Sequence, residues 1–315
     1  MPFRTRAFPV FAGVIAMAFV AMALVAVAAA PRQTSWQQET IQWRKDHAAA
    51  LQRPDGWLSL TGLAWLEPGD NPVGSAADSR IRLSQGAPLH VAILRLSGDV
   101  VTLVPPSGGF PSGLQLAGAS PKEGPIRADA DSDKLNPHLT IGTLNMYVIR
   151  RENRFALRIK DSNSPALRHF HGLNWYPLDP SYRLTGKWIP YVPQKTVTLA
   201  TLVGTSYPQP VPGAVEFTLH GKTLRLEPVL EDPNGTTLFF ILRDKTSATT
   251  TYGASRFLYT GFPSNGLDKP GTLIMDFNRL ENPPCAYTPY ATCPLPPRGN
   301  RLTIPLPVGE KRYHN

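Results

Sequence analysis

The segment GTLIMDFNRLENPPCAYTPYATCPLPPRGNRLTIPLPVGE occupies residues 271–310, and we expect the rest of the chain to be organised around it. Alternating residues predict a strand at Leu273 to Asn278 and a second strand at Arg301 to Leu306. The proline-rich loop between them holds both cysteines of the chain, Cys285 and Cys293. Because proline fixes φ, the segment predicts a rigid loop between two strands.

Outside this segment the chain is also predicted to be mainly β. Proline and glycine number 33 and 25 among 315 residues, as expected where tight turns join many short strands. One example is the alternating pair Val215 to Leu219 and Thr223 to Leu226, which flanks the turn His220-Gly221. We expect an antiparallel sandwich or barrel-like β domain with one N-terminal helix.

The N-terminal helix is predicted at Thr34 to Leu51. Ser35 followed by Gln38 fits a capping box at its start. The turn sequence from Arg53 to Gly56 ends it, because the residue before a proline disfavours helical geometry. One face is expected to pack against the main body, since it carries these residues at helical spacing: Trp36, Thr40, Trp43, His47 and Ala50.

The first 30 residues have the features of an export signal. Arg4 and Arg6 supply positive charge, and Ala7 to Ala30 contains no charged residue. The alanine-rich end of this run suits cleavage by signal peptidase. The alternative is an uncleaved membrane anchor through residues 7–30, because the run is long enough to span a bilayer. Either outcome predicts a periplasmic or secreted protein.

The predicted organisation has three parts: a signal peptide or anchor at residues 1–30, a leading amphipathic helix at residues 31–53, and one β-rich domain at residues 54–315. The formal net charge is +9. A basic protein favours anionic partners, but no run of five or more Lys and Arg residues exists, so a generally basic surface is the favoured interpretation. We predict no nucleic-acid partner, and membrane contact only if the N-terminal segment is retained.

Five basic side chains cluster around a predicted hairpin that turns at Glu152-Asn153. In a strand, alternate residues share a face, so three of the five are expected on one face of the second strand. A solvated outer face is the favoured interpretation, and an anion-binding site is the alternative. The five residues are Arg150, Arg151, Arg154, Arg158 and Lys160, of which the last three share the face.

Four motifs carry a resemblance to a known family: PDGWLSLTGLAWLEPGDNPVGS at residues 54–75, Tyr252-Gly253 with Arg256-Phe257-Leu258-Tyr259, DFN-x3-NPPCAYTPYATCPLPP-x2-NR from Asp276, and the closing VGEK. Together they resemble the DUF1684 family of bacteria and archaea, a domain of unknown function. The resemblance implies no activity, cofactor or catalytic residue. It does imply that five residues belong to the family's pattern: Asp276, Asn278, Asn282, Cys285 and Cys293.

The two cysteines enclose a short segment. In an oxidising compartment such close spacing favours a disulfide between Cys285 and Cys293. Two structural thiols are one alternative, and a nucleophilic Cys285 or a metal site is another. The spacing C-x7-C matches no standard zinc pattern. His169 and His171, with Asp179, form a second and weaker candidate for metal binding. We predict no metal and no cofactor.

A candidate ligand site lies in the same segment. Asp276 and Asn278 are two residues apart on the predicted strand and therefore share a face, with Asn282 close by. Tyr252, Arg256 and Arg301 would supply hydroxyl and guanidinium donors, which suit an anionic ligand. The alternative is that these polar groups satisfy the loop backbone and one another, as buried polar groups must.

The sequence therefore favours an extracytoplasmic β-rich domain that binds a small or extended ligand near residues 271–301, where the donors would suit an anionic one. The predicted partner is a small molecule or an envelope component. One alternative is a hydrolase or isomerase that acts on a cell-envelope component, with Asp276 as acid or base. Another is a structural envelope protein without a site. No G-x-S-x-G, H-E-x-x-H or P-loop motif is present, and whether the protein is an enzyme stays open.

Overall fold

The computed structural model describes residue 1 and residues 34–130, 136–232 and 234–313. The chain is mainly β, with 41% strand and 15% helix, in several antiparallel sheets. This confirms the predicted fold class, mainly β with one helix near the N-terminus, and the described strands form no closed barrel. The predicted signal segment falls on residues 1–30, of which the structure describes only Met1. Among the described residues, no helix combines the length and the apolar composition needed to cross a bilayer.

Two five-stranded sheets form the first sandwich. One has the order β1-β10-β9-β8-β6 and the other the order β3-β2-β4-β5-β7. Apolar side chains from both sheets meet in one core that includes Leu94, Leu103, Met146 and Leu157. The strands are β1 Leu60–Trp65, β2 Gly69–Gly74, β3 Ile81–Arg82, β4 Ala92–Ser97, β5 Val100–Val104, β6 Gln115–Leu116, β7 Gly124–Ile126, β8 Leu139–Ile141, β9 Leu144–Arg151 and β10 Arg154–Asp161.

The second half of the chain builds a four-stranded sheet, of order β13-β12-β11-β16, and the two-stranded sheet β14-β15. Their core includes Trp188, Phe240, Met275 and Phe277, all fully buried. The predicted hairpin around His220-Gly221 is present as β12 and β13. The strands are β11 Arg183–Ala200, β12 Ser206–Leu219, β13 Lys222–Leu226, β14 Thr237–Leu242, β15 Arg256–Gly261 and β16 Gly271–Asp276.

A third apolar cluster joins the two halves. Leu60 of β1 packs there with Phe239, Phe257 and Cys293 from the second half. A hydrogen bond reinforces the contact, because the Thr288 hydroxyl donates to the Leu60 carbonyl oxygen at 2.9 Å. The second half of the chain therefore covers the outer face of the sheet that contains β1 and β10. The cavity described below lies at this junction.

The leading helix α1, Ser35–Leu51, begins one residue after its cap. Thr34, and not Ser35, is the N-cap, and its side chain and that of Gln37 form the capping box. The capping box therefore lies one residue before the predicted one. Thr34 and Ser35 are neighbours and both residue types cap well, so the sequence alone does not distinguish them. Thr40, on the predicted inner face of the helix, is fully buried. A second, single-turn helix, α2, covers Pro165–Arg168.

The closing segment differs from its prediction at both ends. Strand β16 stops at Asp276, because the Asp276 carboxylate accepts the Asn278 backbone N–H at 3.1 Å and turns the chain into a 3-10 helix, Phe277–Arg279. Asp276 and Asn278 therefore do not share a strand face. The predicted strand at Arg301 to Leu306 is absent: Arg301 makes one isolated bridge, and the prolines that follow lack the N–H that a ladder needs.

Candidate functional site

A cavity of about 590 Å³ lies where α1, the first sandwich and the second half of the chain meet. Its walls come from the β9–β10 hairpin, from β12, β14 and β15, and from the loop that follows β16. Much of the wall is aromatic. Phe239 stacks on Tyr259 and meets Phe257 edge-on, each with ring centroids 4.7 Å apart. Trp57 and Tyr207 line it as well.

Arg158 stands in the wall of this cavity with few partners. Phe155, Leu157 and Ile159 point into the first core, so alternation along β10 places Arg158 on the opposite face. The second half of the chain covers that face and leaves Arg158 only 5% exposed. Its two hydrogen bonds, to the hydroxyls of Tyr147 and Thr292, are both 3.4 Å long, and its Nε is buried without a partner.

Arg151 lies at the same end of the cavity. Its guanidinium forms an ion pair with Asp129 at 2.8 Å and also approaches the Thr292 hydroxyl at 3.4 Å. Thr292 is therefore shared by Arg151 and Arg158. Glu152 of the same hairpin accepts hydrogen bonds from the backbone and hydroxyl of Ser206. This end of the cavity, the arginine end, consists of Arg151, Arg158 and Thr292.

The other polar part of the wall is built around His47 of α1. His47 Nδ1 lies 3.3 Å from Glu281 Oε2, and its Nε2 lies 3.5 Å from Glu310 Oε2. Glu310 also accepts the Tyr287 hydroxyl at 2.7 Å and the Asn282 backbone N–H at 2.8 Å. We call this cluster the carboxylate end: His47, Glu281, Asn282, Tyr287 and Glu310. Of its members, Glu310 is not part of the cavity wall.

Burial changes the protonation of this cluster. It raises the pKa of Glu281 from its ordinary value to about 7, although the charge of His47 acts to lower this pKa. Burial opposes the charge on His47, but the hydrogen bond with Glu310 and the charges of Glu281 and Glu310 outweigh burial and raise its pKa. Burial also raises the pKa of Tyr287. A carboxyl group with a pKa near neutrality can donate or accept a proton at physiological pH.

Part of the chain that builds this cavity is similar to a known protein family. A family model described as a protein of unknown function, DUF1684, matches residues 168–311. We call residues 168–311, the part of the chain that this model matches, the DUF1684 segment. No curated protein matches the chain. The chain is also similar to an uncharacterized protein of Haloarcula marismortui whose solution NMR structure is known, with 26% sequence identity and a TM-score of 0.40. The similarity covers 47% of this chain and 80% of the Haloarcula chain.

The DUF1684 segment supplies only part of the cavity. Glu281, Tyr287 and Thr292 lie inside it, whereas His47 and Arg158 come from the chain before residue 168. The resemblance seen at residues 54–75 also falls outside the matched range. Both polar ends of the cavity therefore combine a side chain from the DUF1684 segment with one from the N-terminal half.

The DUF1684 motif VGEK has a structural explanation. Gly309 has φ of +79°, and a Cβ there would lie 2.6 Å from the Leu280 carbonyl oxygen. Only glycine suits this position, because L side chains rarely adopt that conformation and the space is already filled. The tight turn places the next residue, Glu310, beneath His47 and Tyr287.

The predicted site residues Asp276 and Asn278 are occupied by internal contacts. Asp276 accepts the indole N–H of Trp36 at 2.5 Å and lies 3.8 Å from Arg183. The Asn278 amide exchanges two hydrogen bonds with the backbone of Asp179. These contacts fix α1 and the chain before β11 to the end of β16, and neither residue lines the cavity.

Three other predicted site residues also make internal contacts. Arg256 is fully buried, pairs with Asp244 at 3.0 Å and donates to the carbonyl oxygens of Leu306 and Val308. Tyr252 donates to the Cys285 carbonyl oxygen at 3.0 Å. Exposed Arg301 donates to its own loop. The structure therefore does not gather the six predicted residues, and among them Asn282 alone contributes to the cavity wall that the described residues form.

Cys285 and Cys293 lie at disulfide distance, with Cα atoms 6.1 Å apart, which confirms the predicted pairing geometry. The closed ring contains Tyr287 and Thr292, and these reach the two polar ends of the cavity. His169 and His171, the weaker candidates for metal binding, are exposed at the end of α2. Among the described residues, no cluster of His, Cys, Asp and Glu is arranged to hold a metal ion.

Three cavity residues were missed or misjudged from the sequence. Arg158 was noticed in a basic cluster, but the favoured interpretation, a solvated face, is wrong for it because the second half of the chain covers that face. Arg154 on the same strand is exposed as expected. His47 was predicted only to pack. Glu281 had no local signal beyond its place beside Asn282 in the closing motif.

Proposed function

We propose that the protein binds a small organic anion in this cavity, with the anionic group at the arginine end and an apolar body against the aromatic wall. The observation that carries the proposal is the state of Arg158. It is a buried guanidinium beside a cavity, and no described residue forms an ion pair with it.

The physical argument rests on the cost of burying charge. A buried ion without a counterion is unfavourable by several kcal/mol, on the order of 3–5 in measured cases, so natural proteins pair such groups. The contacts of Arg158 with two hydroxyls and with the faces of Trp57 and Tyr147, at 5.7 Å, compensate only in part. A carboxylate, sulfonate or phosphate in the cavity would complete the coordination, with Thr292 as an additional hydroxyl donor.

The rest of the wall supports a ligand with an apolar body. Ligand cavities are lined mainly by apolar and aromatic side chains and hold a few polar groups that set orientation. The stack of Phe239 and Tyr259, together with Trp57, has this character. An ion without an apolar part would leave this wall unused, so an amphipathic anion is the favoured ligand class.

Titration with anilinonaphthalene sulfonate tests the proposal, because this probe joins an aromatic body to a permanent anion. We expect saturable binding to the wild-type protein, followed by probe fluorescence and calorimetry. Arg158→Gln should weaken binding by about tenfold or more, since a charge-assisted hydrogen bond is worth roughly 1.5–3 kcal/mol. The matched control is Arg154→Gln on the same strand, whose exposed side chain does not line the cavity. Equal affinity in all three proteins would reject the proposal.

We also propose export to the periplasm or the exterior, with residues 1–30 removed. The charged start, the apolar run and the paired cysteines support this placement. Mass spectrometry of the protein from its native host is expected to show a mature N-terminus close to residue 30. An intact N-terminus in the membrane fraction would instead establish the anchor.

A second candidate function is an enzyme that acts on the bound anion, a hydrolase or isomerase with Glu281 in the role earlier assigned to Asp276. The supporting observation is a cavity carboxyl group with its pKa raised to about 7 beside His47. Incubating the protein with envelope extract of the host, and following small anions by mass spectrometry, tests it. Catalysis predicts a consumed anion with wild-type protein and none with Glu281→Gln; identical profiles would reject it.

A further inference from the structure

We propose that Glu281 and Asn282 form a second subsite, which accepts a hydrogen-bond donor from the far end of the same ligand. The ligand class is then an organic acid that carries an ammonium or hydroxyl group opposite its anionic group. This inference rests on the proposed anion binding at Arg158 and adds the chemistry of the other end.

The first observation is the free acceptor on Glu281. Its Oε2 lies 3.3 Å from His47 Nδ1, whereas no described residue donates a hydrogen bond to Oε1. The side chain lines the cavity and remains 17% exposed. A carboxylate oxygen that lacks a donor, on a side chain that lines a cavity, is an acceptor available to a ligand.

The second observation concerns the neighbouring amide. Asn282 is 2% exposed and lines the same cavity. Its Nδ2 donates to the Lys311 carbonyl oxygen at 2.8 Å, which fixes the orientation of the amide. Its Oδ1 is consequently an acceptor, and it is buried with no donor among the described residues. Two adjacent acceptors without donors at one wall match a donor group and not an anion.

The surroundings of Glu281 favour a cation further. The nearby donors are already engaged, because the Tyr287 hydroxyl and the Asn282 backbone N–H both donate to Glu310. His47 is shared between Glu281 and Glu310. The titratable and charged groups that face Glu281 come from α1, β15, its own turn, the cysteine loop and the closing segment: His47, Tyr259, Arg279, Tyr287 and Glu310.

These groups give the subsite a pH dependence of known sign. Glu281 titrates near pH 7 and gains negative charge as pH rises through that value. His47, whose pKa is raised by its hydrogen bond with Glu310 and by the charges of Glu281 and Glu310, loses its positive charge as pH rises through that pKa. Both changes make the subsite more negative, so an ammonium group should bind more tightly at about pH 8 than at about pH 6. The affinity of a ligand whose donor is an uncharged hydroxyl should change little with pH. The binding of the anionic group at the arginine end should weaken as pH rises.

Displacement of anilinonaphthalene sulfonate by three series of straight-chain acids tests the subsite. The series are plain alkanoates, ω-hydroxyalkanoates and ω-aminoalkanoates. Because each series increases in length, the distance between the two polar ends of the cavity need not be known in advance. At the length that bridges the cavity, we expect a terminal donor to improve affinity by about tenfold over the plain acid at about pH 8. For an ammonium, the improvement should shrink by at least about threefold at about pH 6. A hydroxyl preference without pH dependence would assign the donor as a hydroxyl.

Variants connect the effect to the subsite. Glu281→Gln should abolish the ammonium preference and its pH dependence, while Glu39→Gln, on the exposed side of α1, should leave both unchanged. The pH dependence of the wild-type protein stands as evidence even if Glu281→Gln folds poorly. The inference is overturned if plain acids bind best at every length, or if the preference survives in Glu281→Gln. Failure of the probe itself to bind through Arg158 would instead reject the proposed function.

Discussion

Arg256 and Arg158 are both buried arginines on strands, and they differ in what surrounds them. Arg256 is fully buried, pairs with Asp244 and donates to two backbone carbonyls of the closing segment. Arg158 has two long contacts with hydroxyls, no ion pair with any described residue and a cavity beside it. The Nε atom of each arginine lacks a hydrogen-bond partner, so the difference lies in the ion pair and the cavity. A buried guanidinium paired with a carboxylate holds the chain together, whereas one without an ion pair beside a cavity is available to a ligand.

The same contrast separates two carboxylates that are five residues apart. Asp276 is engaged by Trp36, Asn278 and Arg183, and it fastens α1 to the end of β16. Glu281 contacts His47 with one oxygen, no described residue donates a hydrogen bond to the other, and its side chain lines the cavity. We therefore assign structural roles to Asp276 and Arg256, and the proposed ligand binding rests on Glu281 and Arg158. The predictions below test this division.

The largest effect is expected from Arg256→Gln. Removing one partner of a buried ion pair leaves Asp244 uncompensated, and the carbonyl oxygens of Leu306 and Val308 lose their donor. The free energy of unfolding should fall by about 3–5 kcal/mol. Urea denaturation followed by circular dichroism measures it. A loss below about 1 kcal/mol would mean that Arg256 does not hold the closing segment.

The next effect concerns the cysteine loop. Replacing both cysteines by serine should lower the free energy of unfolding by about 2–3 kcal/mol, because a short ring restricts the unfolded chain. It should also weaken binding of the probe, since Tyr287 and Thr292 lie within the ring. Peptide mapping without reductant should show the linked peptides. Alkylation of both thiols in unreduced, denatured protein would contradict the bond.

A smaller loss is expected from Asp276→Asn. The amide keeps the shape but weakens the charge-assisted contacts with the Trp36 indole and with Arg183, which should cost about 1–2 kcal/mol. Probe affinity should stay unchanged, because Asp276 does not line the cavity. Strongly reduced affinity in a stable Asp276→Asn protein would return Asp276 to the binding site.

Glu281 should make stability depend on pH. Its folded pKa is raised to about 7, so folding favours the protonated form. This stabilisation is complete below the unfolded pKa, near 4.5, and is lost as pH rises through about 7. His47, whose pKa is also raised, acts in the same direction. The free energy of unfolding should fall by about 1–2 kcal/mol between about pH 5 and pH 8, and Glu281→Gln should flatten the profile.

The sequence predicted what depends on local pattern. Strand alternation, turn residues and the spacing of Cys285 and Cys293 are local, and they led to the fold class and the cysteine pairing. The cavity depends on contacts between distant parts of the chain. Whether Arg158 faces water depends on the second half packing over β10, and His47 meets Tyr287 across 240 positions of sequence. Asp276, by contrast, was an evident polar residue in a distinctive motif, but its partners lie on elements that local reasoning could not place.

The most direct test of the division measures two properties of Arg158→Gln together: its free energy of unfolding and its affinity for anilinonaphthalene sulfonate. Our account predicts a stability within about 1 kcal/mol of the wild-type protein, or above it, because a poorly compensated buried charge is removed. It predicts at the same time an affinity about tenfold weaker or more. Arg158→Gln that loses stability as Arg256→Gln does, and still binds the probe as tightly as the wild type, would contradict the account.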